Sequence, residues 1–209
     1  MRLIAAFLTA SLALAAGFAA FTVEPEGDQV VDLMTGVTTL PQGGRLVDAE
    51  RGLALEAAYI EYKEGEFVKA RDARLVRGDV RFRAGELVYR AGEERVVLSG
   101  GVSLTTPYLE GLSAPRGVLF LKDQVAVLEG GVKSERPEFS APSLVADTAG
   151  GLVLLVGEFS YRDPELGVTL RGQGPEARLL LRFREDGEVE ATTEVPEEVA
   201  ARLLAYLER

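Results

Sequence analysis

Hydrophobic residues between positions 43 and 195 fall in short runs of about four to seven, and glycine, proline or Asp-Gly separates one run from the next. In the stretch VRFRAGELVYR, Val80 and Phe82 share one face of the chain, while Arg81 and Arg83 share the other. Such alternation is typical of a strand that is buried on one side only. We therefore expect an all-β body of roughly 12–16 short strands.

Several of the interruptions resemble one another, which indicates an internal repeat. They are Gly78-Asp79-Val80, Gly100-Gly101-Val102, Gly130-Gly131-Val132 and Gly157-Glu158-Phe159. The last residues of these triplets are 22, 30 and 27 positions apart. Repeats of this period are typical of stacked units. Each unit is expected to contain two short strands, with the glycines turning the chain between strand pairs. Asp186-Gly187 is a further hairpin signal.

The C-terminal segment, residues 196–209, has helical spacing. Pro196 suits the first position of a helix, and the acidic pair that follows it suits the first turn. Apolar residues then recur every three or four positions, at Val199, Leu203, Tyr206 and Leu207. The sequence predicts a terminal amphipathic helix that covers one end of the sheet.

The first 23 residues have the pattern of an export signal. One positive charge at Arg2 precedes the uncharged stretch Leu3–Val23, which is rich in alanine and ends before Glu24. That stretch is also long enough to span a bilayer, so an uncleaved membrane anchor stays open. In either case we expect a periplasmic body, soluble or held at the inner membrane. Residues 24–42 are expected to form a linker and residues 43–195 the β domain.

Composition removes several kinds of chemistry. The net charge of −10 disfavours nucleic acid as a partner, and the chain contains neither cysteine nor histidine. Disulfides, thiol catalysis and the commonest general base and metal ligand are therefore excluded. The serines have no histidine to activate them, and no phosphate-binding or calcium-binding loop motif occurs. We expect a protein that is not an enzyme and that carries no metal or other cofactor.

A cluster of basic residues interrupts this acidic chain: Arg71, Arg74, Arg77, Arg81 and Arg83. Guanidinium groups bind phosphates and acidic sugars through paired hydrogen bonds. A solvated sheet face explains the same pattern, and the sequence leaves both interpretations open.

Three segments carry a resemblance to a known family. They are LVRGDVRFRAGELVYR, LSGGVSLTTPYLEGLSAPRGVLF and LEGGVKSERPEFSAPSLVAD, within residues 43–190. This arrangement resembles the OstA/LptA/LptC family of periplasmic lipopolysaccharide-transport proteins, whose units follow a Gly-Asn-Val pattern. Asp79, Gly101 and Gly131 stand where asparagine is frequent in the family, and all three residue types tolerate a left-handed turn.

The resemblance implies a rolled, half-open antiparallel β-jellyroll whose apolar interior holds acyl chains. It implies lipopolysaccharide or another glycolipid as ligand, carried toward the outer membrane. It also implies that other jellyroll proteins, further copies of this chain among them, join it head to tail through strand edges. The residues expected to face the interior and bind lipid are Val80, Phe82, Leu87, Tyr89, Val102, Leu104, Leu119, Leu121, Val127, Phe139, Leu144, Leu154, Phe159 and Tyr161.

Two other functions stay open. One is a structural envelope protein that assembles through its strand edges and carries no lipid. The other is a right-handed parallel β-helix that acts on polysaccharide, because coils of this length also suit that fold. The small number of coils, and the lack of an acidic cluster at a recurring coil position, count against the second. Within the family, a cleaved signal favours the soluble bridge component, whereas a retained N-terminal helix favours the membrane-anchored component.

Overall fold

The computed structural model describes residues 21–49, 52–106, 109–163, 166–184 and 188–209. Residues 1–20 of the predicted export signal or anchor therefore lie outside the described residues. The predicted Asp186-Gly187 turn lies outside them as well.

The described residues form 18 strands, one short 3₁₀ turn (Ala91–Glu93) and one α-helix. The all-β fold with a C-terminal helix is confirmed, although the strands are more numerous than the sequence predicts. The sheet also begins before residue 43, because three strands lie within the segment expected to be a linker or immediately before it. The elements are β1 (Thr22–Pro25), β2 (Val30–Val31), β3 (Thr38–Leu40), β4 (Gly44–Asp48), β5 (Leu53–Ala57), β6 (Tyr59–Lys63), β7 (Phe67–Arg77), β8 (Val80–Arg90), β9 (Arg95–Thr105), β10 (Leu112–Ala114), β11 (Arg116–Phe120), β12 (Val125–Glu135), β13 (Glu138–Asp147), β14 (Leu152–Val156), β15 (Phe159–Asp163), β16 (Val168–Gly172), β17 (Arg178–Phe183), β18 (Val189–Thr192) and α1 (Glu197–Leu204).

The strands pair in antiparallel fashion throughout the described part of the sheet. A parallel β-helix would instead pair successive coils in the parallel sense. The alternative of a parallel β-helix acting on polysaccharide is therefore wrong. The repeat period could not separate the two folds, because a hairpin unit and a helical coil of equal length give the same spacing.

The sheet is folded along its middle into two walls. Wall 1 consists of β2, β3, β6, β11, β14, β17 and β18, together with residues 67–71, 86–90, 95–99, 125–129 and 143–147 of the long strands. Wall 2 consists of β1, β4, β5, β10, β15 and β16, together with residues 73–77, 80–84, 102–105, 132–135 and 138–141. Each long strand thus contributes one half to each wall.

A row of glycines and prolines marks the line where the walls meet, here called the corner line. Gly100-Gly101 of β9 lie opposite Gly85 of β8, two residues against one, and Gly130-Gly131 of β12 lie opposite Pro142 of β13 in the same way. Such a bulge bends a strand and increases its twist. Across the strands the line contains Asp72, Gly85, Gly100-Gly101, Pro115, Gly130-Gly131, Pro142 and Gly157-Glu158.

Close backbone approach explains why glycine occurs on this line. A Cβ atom at Gly85 would lie 2.7 Å from the carbonyl oxygen of Gly100, and one at Gly130 would lie 3.0 Å from Cγ of Pro115. Gly130 also has φ +90°, a conformation that L side chains rarely adopt. The neighbouring strands could not approach this closely with a larger residue at either position.

The repeated glycine triplets are therefore mostly bends within strands. Gly78-Asp79 forms a turn between β7 and β8, as predicted. Gly100-Gly101 and Gly130-Gly131 instead lie inside β9 and β12, and Gly157-Glu158 separates β14 from β15, both of which pair with β13. The predicted turns between strand pairs are wrong at these three places. The sequence pattern of an apolar run, a break and a second apolar run is the same for a hairpin as for a single bent strand.

Helix α1 packs against the outer face of wall 1. Its Leu203 is fully buried with Val145 of β13 and Leu154 of β14. Arg202 also donates a 2.7 Å hydrogen bond from Nη1 to Oδ2 of Asp147, a carboxylate that is itself almost buried. The helix therefore covers the middle of a sheet face, and the expectation that it covers one end of the sheet is wrong. Among the described residues, no helix has the length and apolar character needed to cross a membrane.

Candidate functional site

The two walls enclose one continuous apolar interior. Leu87 and Leu98 of wall 1 and Val102 and Phe139 of wall 2 belong to the same buried cluster, and each is 4% exposed or less. This follows from the strand pattern, because alternate residues of both walls turn toward the inside of the fold. The cluster is called the interior cluster below.

Most of the residues predicted to face the interior do lie there. The interior cluster contains Phe82, Leu87, Tyr89, Val102, Leu121, Phe139, Leu144, Phe159 and Tyr161, and the partly buried Leu104 and Leu119 pack against it. Val80 is buried as well, at the start of β8 on the same side of the strand as Phe82. The structure thus brings these residues together; that they bind lipid stays a prediction.

Val127 and Leu154 lie elsewhere. They belong to a second cluster beneath α1, with Val125, Val145 and Leu203. In this part of wall 1 both faces of the sheet are buried, so the runs VAVL and LVLL contain no polar position to show which side faces inward. The structure therefore places these two residues on the outer face of wall 1 and not in the interior, where the sequence predicts them. There the helix separates them from solvent.

Sequence reasoning missed the N-terminal part of the interior. Leu40, Leu46, Leu55 and Ile60 are fully buried in the interior cluster, to within 1% exposure. Their strands contain only three to five residues, and apolar residues stand at adjacent positions in GRLVD and LALEA, so the pattern there does not identify one face. Ile60 within YIEYK was the clearest available signal. Small interior residues near the corner line, such as Ala84, gave none.

The edge of the fold opposite the corner line is called the seam, and near β1 an aromatic side-chain contact joins the two walls there. Phe21, just before β1, contacts Tyr62 of β6 edge to face, with ring centroids 5.4 Å apart.

Burial raises the pKa of the Tyr89 hydroxyl, and the charge of Glu94 raises it further. Burial likewise raises the pKa of Tyr161. The interior thus favours neutral groups.

Strand edges remain open at both ends of the sheet among the described residues. β1 and β2 form the N-terminal edge, and β16 and β18 form the C-terminal edge. Val30 and Val31 of β2 are about half exposed, and Leu33 and Met34 at the adjoining turn are 92% and 94% exposed. Edges of this kind can accept a strand from another chain.

The described residues contain no group of three or more acidic side chains placed to hold a metal ion. Asp147 is almost buried, but it accepts hydrogen bonds from the backbone of Ala149 and Gly150 as well as from Arg202. These hydrogen bonds therefore compensate for the burial of the Asp147 carboxylate.

No protein-family model matches the chain, and no curated protein sequence matches it significantly. Among solved structures, the chain is similar to the crystal structure of LptH from Pseudomonas aeruginosa, described as the LptA-homologous periplasmic component of a lipopolysaccharide transport device. The two are 12% identical, and the alignment covers 83% of this chain and 94% of that chain with a TM-score of 0.28. A TM-score at this level does not establish a common fold.

Proposed function

We propose that this chain is an exported, non-catalytic binding protein that carries a lipid through the interior between its walls. Lipopolysaccharide or another glycolipid, moving through the periplasm toward the outer membrane, is the cargo that the sequence resemblance implies. The observation that carries the proposal is the interior cluster itself, since both walls contribute to it along the length of the sheet.

The chemistry of the interior suits acyl chains. Burying apolar surface is favourable by about 25 cal/mol per Å², so a methylene chain gains from each carbon that it places there. Two buried polar side chains near this cluster already have partners: Ser134 donates to the Glu110 carbonyl oxygen, and Thr106 accepts from the Leu109 amide. An acyl chain that leaves these two hydrogen bonds in place would therefore leave neither hydroxyl newly unsatisfied.

Lipid uptake must move protein atoms. Leu98 and Leu155 have no exposed surface, so an acyl chain can enter only by displacing side chains or by parting the walls. The corner line joins the walls through continuous strands, whereas the seam joins them through side chains such as Phe21 and Tyr62. We infer that the seam opens and that the corner line acts as the hinge.

Photo-crosslinking tests this proposal directly. A photoreactive phenylalanine derivative replaces Phe159, in the interior cluster, or Phe120, which packs beneath α1. The full chain is made in its own host, irradiated, and analysed by mass spectrometry. Purified lipopolysaccharide and a phospholipid are then added in separate samples to identify the cargo class.

We expect a lipid adduct at Phe159 and none at the matched control position Phe120. Adducts at both positions would indicate non-specific contact, and adducts at neither, with added lipid also ignored, would remove the carrier function. Thermal unfolding of each variant shows that the substituted chain has folded.

The exposed edge at β2 favours a second function, that of a structural envelope protein. The apolar side chains of Val30 and Val31 would be covered if another strand paired there. Sedimentation of the full chain with and without Val30→Lys, a charge on the edge strand, tests this. Assemblies that disappear in the variant, in a protein that gives no lipid adduct, would favour the structural function.

A further inference from the structure

A continuous row of polar side chains crosses the outer face of wall 2. Residues directly opposite each other in antiparallel strands share a face, so the pairing can be followed from strand to strand. Alternate residues on these strands, such as Phe82 and Phe139, point to the interior cluster, which puts the row on the outside. From β1 to β16 the row contains Glu24, Arg45, Glu56, Arg74, Arg83, Ser103, Ser113, Lys133, Ser140, Ser160 and Arg171.

Charges are neutralised at one end of the row and not at the other. Arg45 lies 3.6 Å from Glu24 and 3.4 Å from Glu56, so opposite charges alternate there. Beyond Glu56 the row contains no carboxylate. Arg74 and Arg83 lie directly opposite each other, an arrangement of like charges that destabilises a sheet. The fold therefore retains a like-charge pair here, although the chain has 33 acidic and only 23 basic residues. Farther along the same face, Glu135 and Glu138 lie two residues from Lys133 and Ser140, and Glu138 lies 3.7 Å from Arg162.

The segment from Arg83 to Arg171 is called the basic row below. Two serines separate Arg83 from Lys133, and two more separate Lys133 from Arg171. Successive cations are thus three strand spacings apart, or about 14 Å.

The side chains of the basic row make no hydrogen bond or ion pair within the part of the chain that the structure describes. Arginines elsewhere are commonly paired: Arg116 lies 3.3 Å from Glu129, and Arg71 stacks on the ring of Tyr59. The basic row therefore presents three cations without an internal partner to solvent, and the serines between them are exposed at Ser113 and half-buried at Ser103, Ser140 and Ser160.

We propose that the basic row binds an extended acidic polysaccharide. A single ligand that contacts all three cations, each about 14 Å from the next, must carry negative charges spread along its length. Arginine binds carboxylates in bidentate fashion, and each serine hydroxyl between the cations both donates and accepts hydrogen bonds, as sugar hydroxyls do. The row is on the opposite side of wall 2 from the interior cluster, so this site does not depend on the proposed lipid cargo.

Fluorescence anisotropy with labelled oligogalacturonate tests the proposal on the full chain. The oligomer must exceed the length of the basic row, six strand spacings or roughly 29 Å. A neutral glucan oligomer of equal length is the matched control ligand. We expect the acidic oligomer to bind, with an affinity that falls as salt is added, and the neutral oligomer not to bind.

Two triple variants with the same change in net charge locate the site. Arg83→Gln, Lys133→Gln and Arg171→Gln together are expected to weaken oligogalacturonate binding roughly tenfold or more, from three exposed charge pairs. Arg116→Gln, Arg136→Gln and Arg184→Gln remove ion-paired cations elsewhere and are expected to change it little.

A single variant separates loss of binding from loss of folding. Arg83→Glu places a carboxylate opposite Arg74 and removes the like-charge pair. We expect Tm to rise by about 1–3 °C while oligogalacturonate binding weakens.

Several results would overturn the proposal. They are an absence of oligogalacturonate binding at low salt, equal losses in the two triple variants, or a lower Tm in Arg83→Glu. Binding of an inorganic polyphosphate chain without binding of oligogalacturonate would assign the row to a phosphate polymer and reject the polysaccharide.

Discussion

Gly101→Ala isolates the contribution of backbone conformation to the corner line. Gly101 lies inside β9 with φ +89°, and a Cβ atom at this position would meet no other atom within 4 Å. Gly92 offers a matched control, since a Cβ atom there also meets open space but its φ lies outside the left-handed region. The two alanine variants therefore differ in backbone strain and not in packing.

The expected magnitude follows from two opposing effects. A left-handed conformation costs an L-residue about 1–2 kcal/mol. Replacing glycine by alanine also lowers the entropy of the unfolded chain, which favours the folded state by about 0.4–1 kcal/mol. We expect Gly101→Ala to lose about 1 kcal/mol and Gly92→Ala to gain about 0.4–1 kcal/mol. The unfolded-state effect cancels in the difference between the variants, which should be about 1–2 kcal/mol.

Urea unfolding of the full chain, followed by far-ultraviolet circular dichroism, measures both variants. Circular dichroism suits a chain that has no tryptophan. A loss of 1 kcal/mol corresponds to a fall in Tm of about 2–4 °C for a domain of this size. Equal stability of Gly101→Ala and Gly92→Ala would refute the argument that the corner line depends on positive φ. Gly130→Ala should lose more than Gly101→Ala, because its Cβ atom would also press on Pro115.

Three further predictions concern the helix and the titrating groups. Leu203→Ala should cost about 2–5 kcal/mol in urea unfolding, because this fully buried side chain fixes α1 to wall 1; a loss below about 1 kcal/mol would mean that the helix is not part of the folded core. Since burial raises the folded-state pKa of Tyr161, its contribution to stability is complete below the unfolded value of about 10 and is lost as pH rises through the folded value. Tyr161→Phe should therefore flatten the alkaline fall in Tm, and an unchanged slope would contradict this. Hydrogen bonding from Lys69 lowers the pKa of Glu61, so the stability from this pair is present above the unfolded pKa and is lost as pH falls through the folded one. Lys69→Gln should reduce the acid-dependent loss of Tm, and identical acid profiles would speak against the pair.

The local sequence pattern is sufficient to predict burial in strands and helices that have one polar face and one apolar face. Along β8 the pattern predicts that Val80, Phe82, Leu87 and Tyr89 face the interior, and all four are buried. The helical spacing after Pro196 predicted α1 in the same way. Both patterns depend only on residues close in sequence, which is why they need no knowledge of the rest of the fold.

Local pattern failed where distant segments decide the environment. Val127 and Leu154 are buried by α1, which follows them by many residues, so their strands have apolar side chains on both faces. The bend at Gly130-Gly131 depends on Pro142 of the next strand, which provides one residue against two. Neither fact is contained in the segment concerned.

The sequence by itself determined that the body is all-β, that a helix ends it, and that most of the predicted apolar residues share one interior. These properties follow from periodicity, which each strand or helix displays alone. Only the tertiary structure decided that the glycines form a corner line and that α1 covers a sheet face. It also decided that serines and cations from Arg83 to Arg171 form one row across wall 2. The physical reason is that register and folding of the sheet are set by pairing between strands far apart in the chain, and a one-dimensional pattern does not contain that pairing.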